Sequence, residues 1–144
     1  MSNPISVLTH LAEISRDGAK GFCDAADAVK SSNLKTTLQN ASQRCAAGAR
    51  ELDIEISKLG GEPGESGTLG GAVHRAWTNL TAAVTGGDDK VILAECERGE
   101  DVAKAAYEEA LRSDLPLEVK STIQRQYTGV KENHDLIKKL RDAA

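Results

Sequence analysis

One stretch, residues 60–89, sets what this chain can fold into. It reads GGEPGESGTLGGAVHRAWTNLTAAVTGGDD and interrupts a sequence otherwise patterned for long helices. Gly60-Gly61 ends one helical pattern, as a left-handed cap would, and Gly86-Gly87 stops another. What lies before and after the stretch reads as two separate helical units.

Each unit reads as a hairpin. A first helix is expected over residues 4–29, with Asn3 as N-cap and Pro4 where its missing N–H costs little. Leu8, Leu11, Ser15, Ala19, Phe22, Ala26 and Val29 fall on one face at helical spacing. Lys30-Ser31-Ser32-Asn33 is a short turn, and Asn33 can cap a second helix over residues 34–59. Its inward stripe is Leu34, Leu38, Ala41, Cys45, Gly48, Leu52, Ile56 and Leu59. The second unit begins at Asp88 or Asp89, either of which can cap a helix over residues 90–112. Ile92, Cys96, Gly99, Ala103, Ala106, Tyr107 and Ala110 face inward there. Ser113-Asp114-Leu115-Pro116 is the next tight connection, and the last helix runs on to about residue 141. Val119, Ile123, Gln126, Val130, His134, Ile137 and Leu140 form its inward face.

Between the units, Leu69, Val73, Trp77, Leu80 and Val84 repeat at helical spacing. A helix of that span covers about 25 Å, most of the length of the long helices. The expected fold is therefore all-α: a single domain over residues 1–144, with hairpins 4–59 and 90–142 joined by a crossover, 60–89, that carries a short fifth helix. One long crossover between two antiparallel hairpins is the ferritin-like arrangement of a four-helix bundle. Composition agrees, since 40% of residues are apolar, many of them Ala, and only 3% are aromatic.

Charge and composition also exclude partners. The net charge is −4, and Lys138, Lys139 and Arg141 gather only where they oppose the negative end of a helix dipole. Nucleic acid is not an expected partner. No apolar run is long enough to span a membrane, and the first residues lack the basic start of a signal peptide. Three cysteines, all in expected helices, suit a reducing cytoplasm better than a disulfide framework.

A set of local motifs carries a resemblance. Arg44 with Glu51-Leu52, Leu59-Gly60-Gly61-x-Pro63, His74-Arg75-x-Trp77, Glu97-Arg98-Gly99-Glu100-Asp101, Leu115-Pro116, Gln126 and His134-Asp135 span nearly the whole chain. Together they resemble an uncharacterised bacterial four-helix-bundle family of the domain-of-unknown-function 2383 type, placed near the ferritin-like proteins. The resemblance implies a fold and a bacterial cytoplasmic setting. It implies no activity and no catalytic residues.

A ferritin-like fold raises the question of a di-iron centre, which uses a Glu from each of two helices and a Glu-x-x-His pair from each of the others. The chain has no Glu-x-x-His: Lys131 stands three before His134, Gly71 three before His74, and His10-Leu11-Ala12-Glu13 has the reverse order. A reduced set is Asp17, Glu51, Glu55, Glu97, Glu100 and His134, a carboxylate-rich cluster with one imidazole. It would hold iron, manganese or zinc. The preferred reading is that Arg44, Arg98 or Arg75 neutralises these acids in a structural ion network. On that reading no cofactor is expected.

Gly18, Gly48, Gly99 and Gly129 each interrupt one long helix, at roughly 0.8–1.0 kcal/mol apiece relative to Ala. Folding about the turns sets Gly18 opposite Cys45 and Gly129 opposite Glu100. The expected reason is close helix approach, or room for Phe22, Tyr107, Tyr127 or Trp77 against backbone. The sharper reason is a small cavity for a ligand or a metal-bound water. His74, Arg75 and Trp77 are expected to anchor the crossover helix, with a partner-recognition surface as the other reading. The function read from sequence is thus a non-enzymatic, cytoplasmic bundle acting through self-association or a protein partner. The alternative is a ferritin-like, carboxylate-rich metal-binding protein with a di-metal or redox role.

Overall fold

A computed structural model describes residues 3–63, 77 and 88–144. Among these, four helices account for nearly everything: α1 (Pro4–Ala28), α2 (Ser32–Lys58), α3 (Asp89–Leu111) and α4 (Leu117–Ala143). The crossover helix expected within 60–89 lies outside the described residues, apart from Trp77.

The ends follow from local chemistry. Asn3 Oδ1 accepts from the N–H groups of Ile5 and Ser6 at 3.0 and 3.3 Å, opening α1 just ahead of Pro4. Ser31, not the expected Asn33, caps α2: its backbone is extended, and its Oγ accepts from Leu34 N–H at 3.4 Å. The helix consequently starts two residues earlier than residue 34. Asp88 caps α3 through Val91 N–H at 3.0 Å. At the end of α2, Gly60 takes φ 86°. Gly60 N–H donates to the Ser57 carbonyl and Gly61 N–H to the Ile56 carbonyl, both at 3.0 Å. This is a Schellman ending, and it turns Leu59 outward from the stripe on which periodicity placed it.

Neighbouring helices run antiparallel. α2 meets α4 in the order Arg44 with Asn133, Glu51 with Gln126, Lys58 with Glu118. α3 begins beside the α1–α2 turn, where the Asp89 carboxylate accepts from the N–H groups of Lys30 and Ser31 at 2.9 and 3.2 Å. Lys58 and Asp89 therefore stand at opposite ends of a four-helix bundle.

The core is divided. One apolar cluster holds Leu8, Leu11, Leu52, Ile56, Tyr107 and Ile123 near the α3–α4 turn. A second holds Phe22, Val29, Leu38, Ile92, Leu93, Cys96 and Ile137 near the α1–α2 turn. Each large aliphatic or aromatic side chain buried there contributes about 1.5–3 kcal/mol. Between the clusters lies a layer of small and polar residues, and this layer forms the site.

Candidate functional site

The helices do not close evenly around that layer. α1 and α2 pack along their length, whereas α2 and α4 touch only sparsely. The gap is a cleft of about 340 Å³. Its rim and walls include Arg44, Ala47, Gly48 and Glu51 of α2 and Arg125, Gln126, Gly129, Val130 and Asn133 of α4. Its floor includes Ser15 of α1 with Glu100 and Tyr107 of α3. Gly129 and Gly48 keep it open. A Cβ at Gly129 would meet nothing within 4 Å, and one at Gly48 would meet only the Gln126 side chain, from 3.6 Å.

Glu100 is the buried acid of the floor, 4% exposed. Its Oε1 accepts from Asn133 Nδ2 at 2.7 Å, and Asn133 Oδ1 in turn accepts from Arg44 Nη2 at 2.8 Å. Its Oε2 is buried and has no hydrogen-bond partner. Burial pushes the carboxyl up to about 7, against the opposing pull of the Asn133 hydrogen bond and the nearby His134 and Arg44. Both neighbours therefore act on Glu100 without forming an ion pair with it.

A second polar chain crosses the same layer. Tyr107 Oη donates to Gln126 Oε1 at 2.7 Å, which leaves Ser15 to donate to Tyr107 at 3.4 Å. Gln126 Nε2 donates to Glu51 Oε1 at 2.6 Å and to the Gly48 carbonyl at 3.2 Å. Glu51 Oε2 accepts from Arg125 Nη2 at 2.5 Å, a contact that holds this carboxyl below its usual range. Cys45 also borders the cleft. Burial, reinforced by Glu100, pushes its thiol up to about 12, so it stays protonated and is a poor nucleophile near neutral pH.

The acids singled out in the sequence do not form one cluster. Glu51 and Glu100 face the cleft, and Glu55 lies near the end of α2, 3.8 Å from Lys58. Asp17 is half-buried on α1. Glu97 and His134 do come together, with Asp101, which the reduced ligand set had left out. Their donor atoms lie within 4.8 Å of one another, the only such group among the described residues. His134 Nε2 is 2.5 Å from Asp101 Oδ1. Arg141 Nη1 stands 2.8 Å from Glu97 Oε2, close enough for an ion pair but outside hydrogen-bond geometry.

The ion pairs of Glu51, Glu97 and Glu55 use cations other than the expected Arg44 and Arg98. Arg125, Arg141 and Lys58 supply them, while Arg98 pairs with Glu95 at 3.4 Å and Arg44 is held by an amide. Arg75, like His74, lies outside the described residues.

The glycines divide into two uses. Gly18 faces Cys45, whose Sγ would stand 3.1 Å from an added Cβ. The Trp77 indole lies directly over Gly21 and Gly99, where any Cβ would collide with the ring, and packs edge-on against Phe22 at 5.2 Å. Gly48 and Gly129 instead border open space.

A family model described as "Domain of unknown function (DUF2383)" matches residues 3–113. The chain belongs to this family. The DUF2383 match takes in α1, α2 and α3 and stops before α4. The DUF2383 region thus supplies Arg44, Gly48, Glu51, Glu100 and Tyr107, while Gln126, Gly129 and Asn133 come from beyond it. No curated protein matches the chain. Among the described residues, no helix is long and apolar enough to cross a membrane.

Asn133 and Arg125 were not among the residues marked in the sequence, although both organise the cleft. Asn133 precedes His134 on a helix, and an Asn one position before a stripe residue was the available signal.

Proposed function

We propose that this DUF2383 protein is a ferritin-like bundle that works by binding: a small ligand seats in the cleft between α2 and α4, and no covalent chemistry takes place there. The observation that carries the reading is Glu100, a buried carboxyl with one oxygen unpartnered, on the floor of a cleft kept open by two glycines. Cavities of about 300–1,000 Å³ with a few converging polar groups are the usual form of small-molecule sites. The protonated Cys45 thiol supports binding over nucleophilic catalysis. The helix order, with α2 ending and α3 beginning at opposite ends, supports the ferritin-like arrangement. Three free cysteines are in keeping with a reducing cytoplasm.

The test is amide chemical-shift mapping with small neutral organic probes such as acetamide and isobutanol. The reading expects shifts clustered at Gly48, Gly129 and Asn133, and their loss in Gly129→Leu, whose side chain would occupy the cleft. Shifts clustered elsewhere, or unchanged in Gly129→Leu, would overturn it.

A further inference from the structure

Each acid of the cleft is met by a donor, whereas one cation is not met by an acid. Glu51 accepts from Arg125 and Gln126, and Glu100 accepts from Asn133. Arg125 spends its charge on Glu51. Arg44 donates through Nη2 to Asn133 Oδ1, a neutral oxygen, and among the described residues no ion pair takes up its charge. A guanidinium carries five N–H donors in a planar fork that matches a carboxylate, so most of those on Arg44 remain for a ligand. Glu100 opposes an anion only when ionised, and burial pushes its carboxyl up to about 7. Below that pH the charges of Arg44, Arg125 and Glu51 leave the cleft positive. Glu51 lies seven residues from Arg44 along α2, about 10 Å. Between those levels the walls are Ala47 and Gly48 on α2 and Gly129 and Val130 on α4, all small or apolar.

We infer that the cleft takes a short-chain aliphatic carboxylate, its charged end on the Arg44 guanidinium and its hydrocarbon body along Ala47, Gly48, Gly129 and Val130. A cation would meet the unpaired guanidinium, and a neutral chain would leave that charge unused. A second charge at the far end of the ligand gains little, because Arg125 and Glu51 neutralise each other there. At about 340 Å³ the cleft stands at the low end of small-molecule sites, which keeps the chain short. This inference rests on the cleft being a binding site.

The experiment is a titration of the full chain at pH 6 and constant ionic strength with butyrate, n-butanol and n-butylammonium, followed by the Gly48 and Gly129 amide shifts. Arg44 is exposed, so the wild type is expected to bind butyrate about fivefold more tightly than butanol, the scale of an exposed ion pair, with butylammonium weakest. Arg44→Gln is expected to leave butanol binding in place and to erase the preference for butyrate. If that variant loses butanol as well, Arg44→Lys decides: it keeps the charge and is expected to bind butanol as the wild type does and still to prefer butyrate, and equal binding of the two overturns the inference. If butanol binds the wild type as tightly as butyrate and Gly129→Leu abolishes both, the cleft stands and the carboxylate inference falls. It falls too if Arg44→Gln keeps the full preference for butyrate. If no probe moves either glycine amide, both readings fall.

Discussion

Asn133 holds Glu100 by one carboxylate oxygen, at 2.7 Å, and leaves the other buried without a partner. The pH dependence of folding follows. Burial raises this carboxyl from 4.5 to about 7, with the Asn133 bond, His134 and Arg44 pulling down and Asp101 pushing up. The native state therefore holds a proton that the unfolded chain releases. That contribution to stability is complete below the unfolded value of 4.5 and is lost as pH rises through about 7. Glu100→Gln cannot ionise. Urea denaturation should show the variant close to wild type at pH 5 and more stable by on the order of 3 kcal/mol at pH 8. A gap that stays constant between those pH values would show that Glu100 titrates normally.

Trp77 depends on two glycines from different helices. Trp77→Ala should lower stability by about 3 kcal/mol, since it empties the space over Gly21 and Gly99 and removes the edge contact with Phe22. Gly99→Ala alone should also destabilise, by about 1–3 kcal/mol, because the new methyl collides with the indole. In a Trp77→Ala background the same change should turn favourable, by up to about 1 kcal/mol, the ordinary helix preference of Ala over Gly. The sign reversal is the diagnostic, read from a double-mutant cycle in urea. Gly99→Ala destabilising equally in both backgrounds would separate the glycine from the ring.

The second polar chain makes a prediction of its own. Tyr107 is 2% exposed, and its hydroxyl donates to Gln126 while accepting from Ser15. Tyr107→Phe should cost about 1–2 kcal/mol, because Gln126 Oε1 loses its donor. Gln126→Leu should cost more, since it strands the Tyr107 hydroxyl and removes one of the two donors to Glu51. Denaturant midpoints in the reverse order would show that Tyr107, not Gln126, is the centre of the chain.

Much of the architecture was legible because it is periodic or local. The stripes gave the four helices, and Asn3, Asp88 and Gly60-Gly61 mark ends through side-chain and backbone chemistry within a few residues. Folding each hairpin about its short turn was enough to set Gly18 against Cys45 and to bring Gly129 and Glu100 to one level. The side-chain pairing between helices was not legible. It depends on the rotation of each helix about its axis, which a stripe fixes only loosely. A turn of a few tens of degrees decides which side chain of α4 meets Glu97, and Arg141 does. The same freedom placed Asn133, one residue before the stripe position His134, against Glu100. The division of the glycines between Trp77 and the cleft is a long-range outcome of the same kind.

Glu97, Asp101 and His134 bring two carboxylates and an imidazole within reach of a single ion, yet Arg141 already puts a cation 2.8 Å from Glu97. A divalent metal would have to displace that guanidinium or accept its repulsion. Protein purified without an affinity tag should therefore carry well under one metal ion per chain. Added Zn²⁺ or Mn²⁺ should leave its melting temperature unchanged. Arg141→Ala should lower the melting temperature, because the Glu97 carboxylate, 13% exposed, loses its compensating charge. Elemental analysis and thermal melts with and without metal check both statements together. One ion per chain with Arg141 in place would mean that the guanidinium yields to metal, and the ion network would then be a resting arrangement of a metal site.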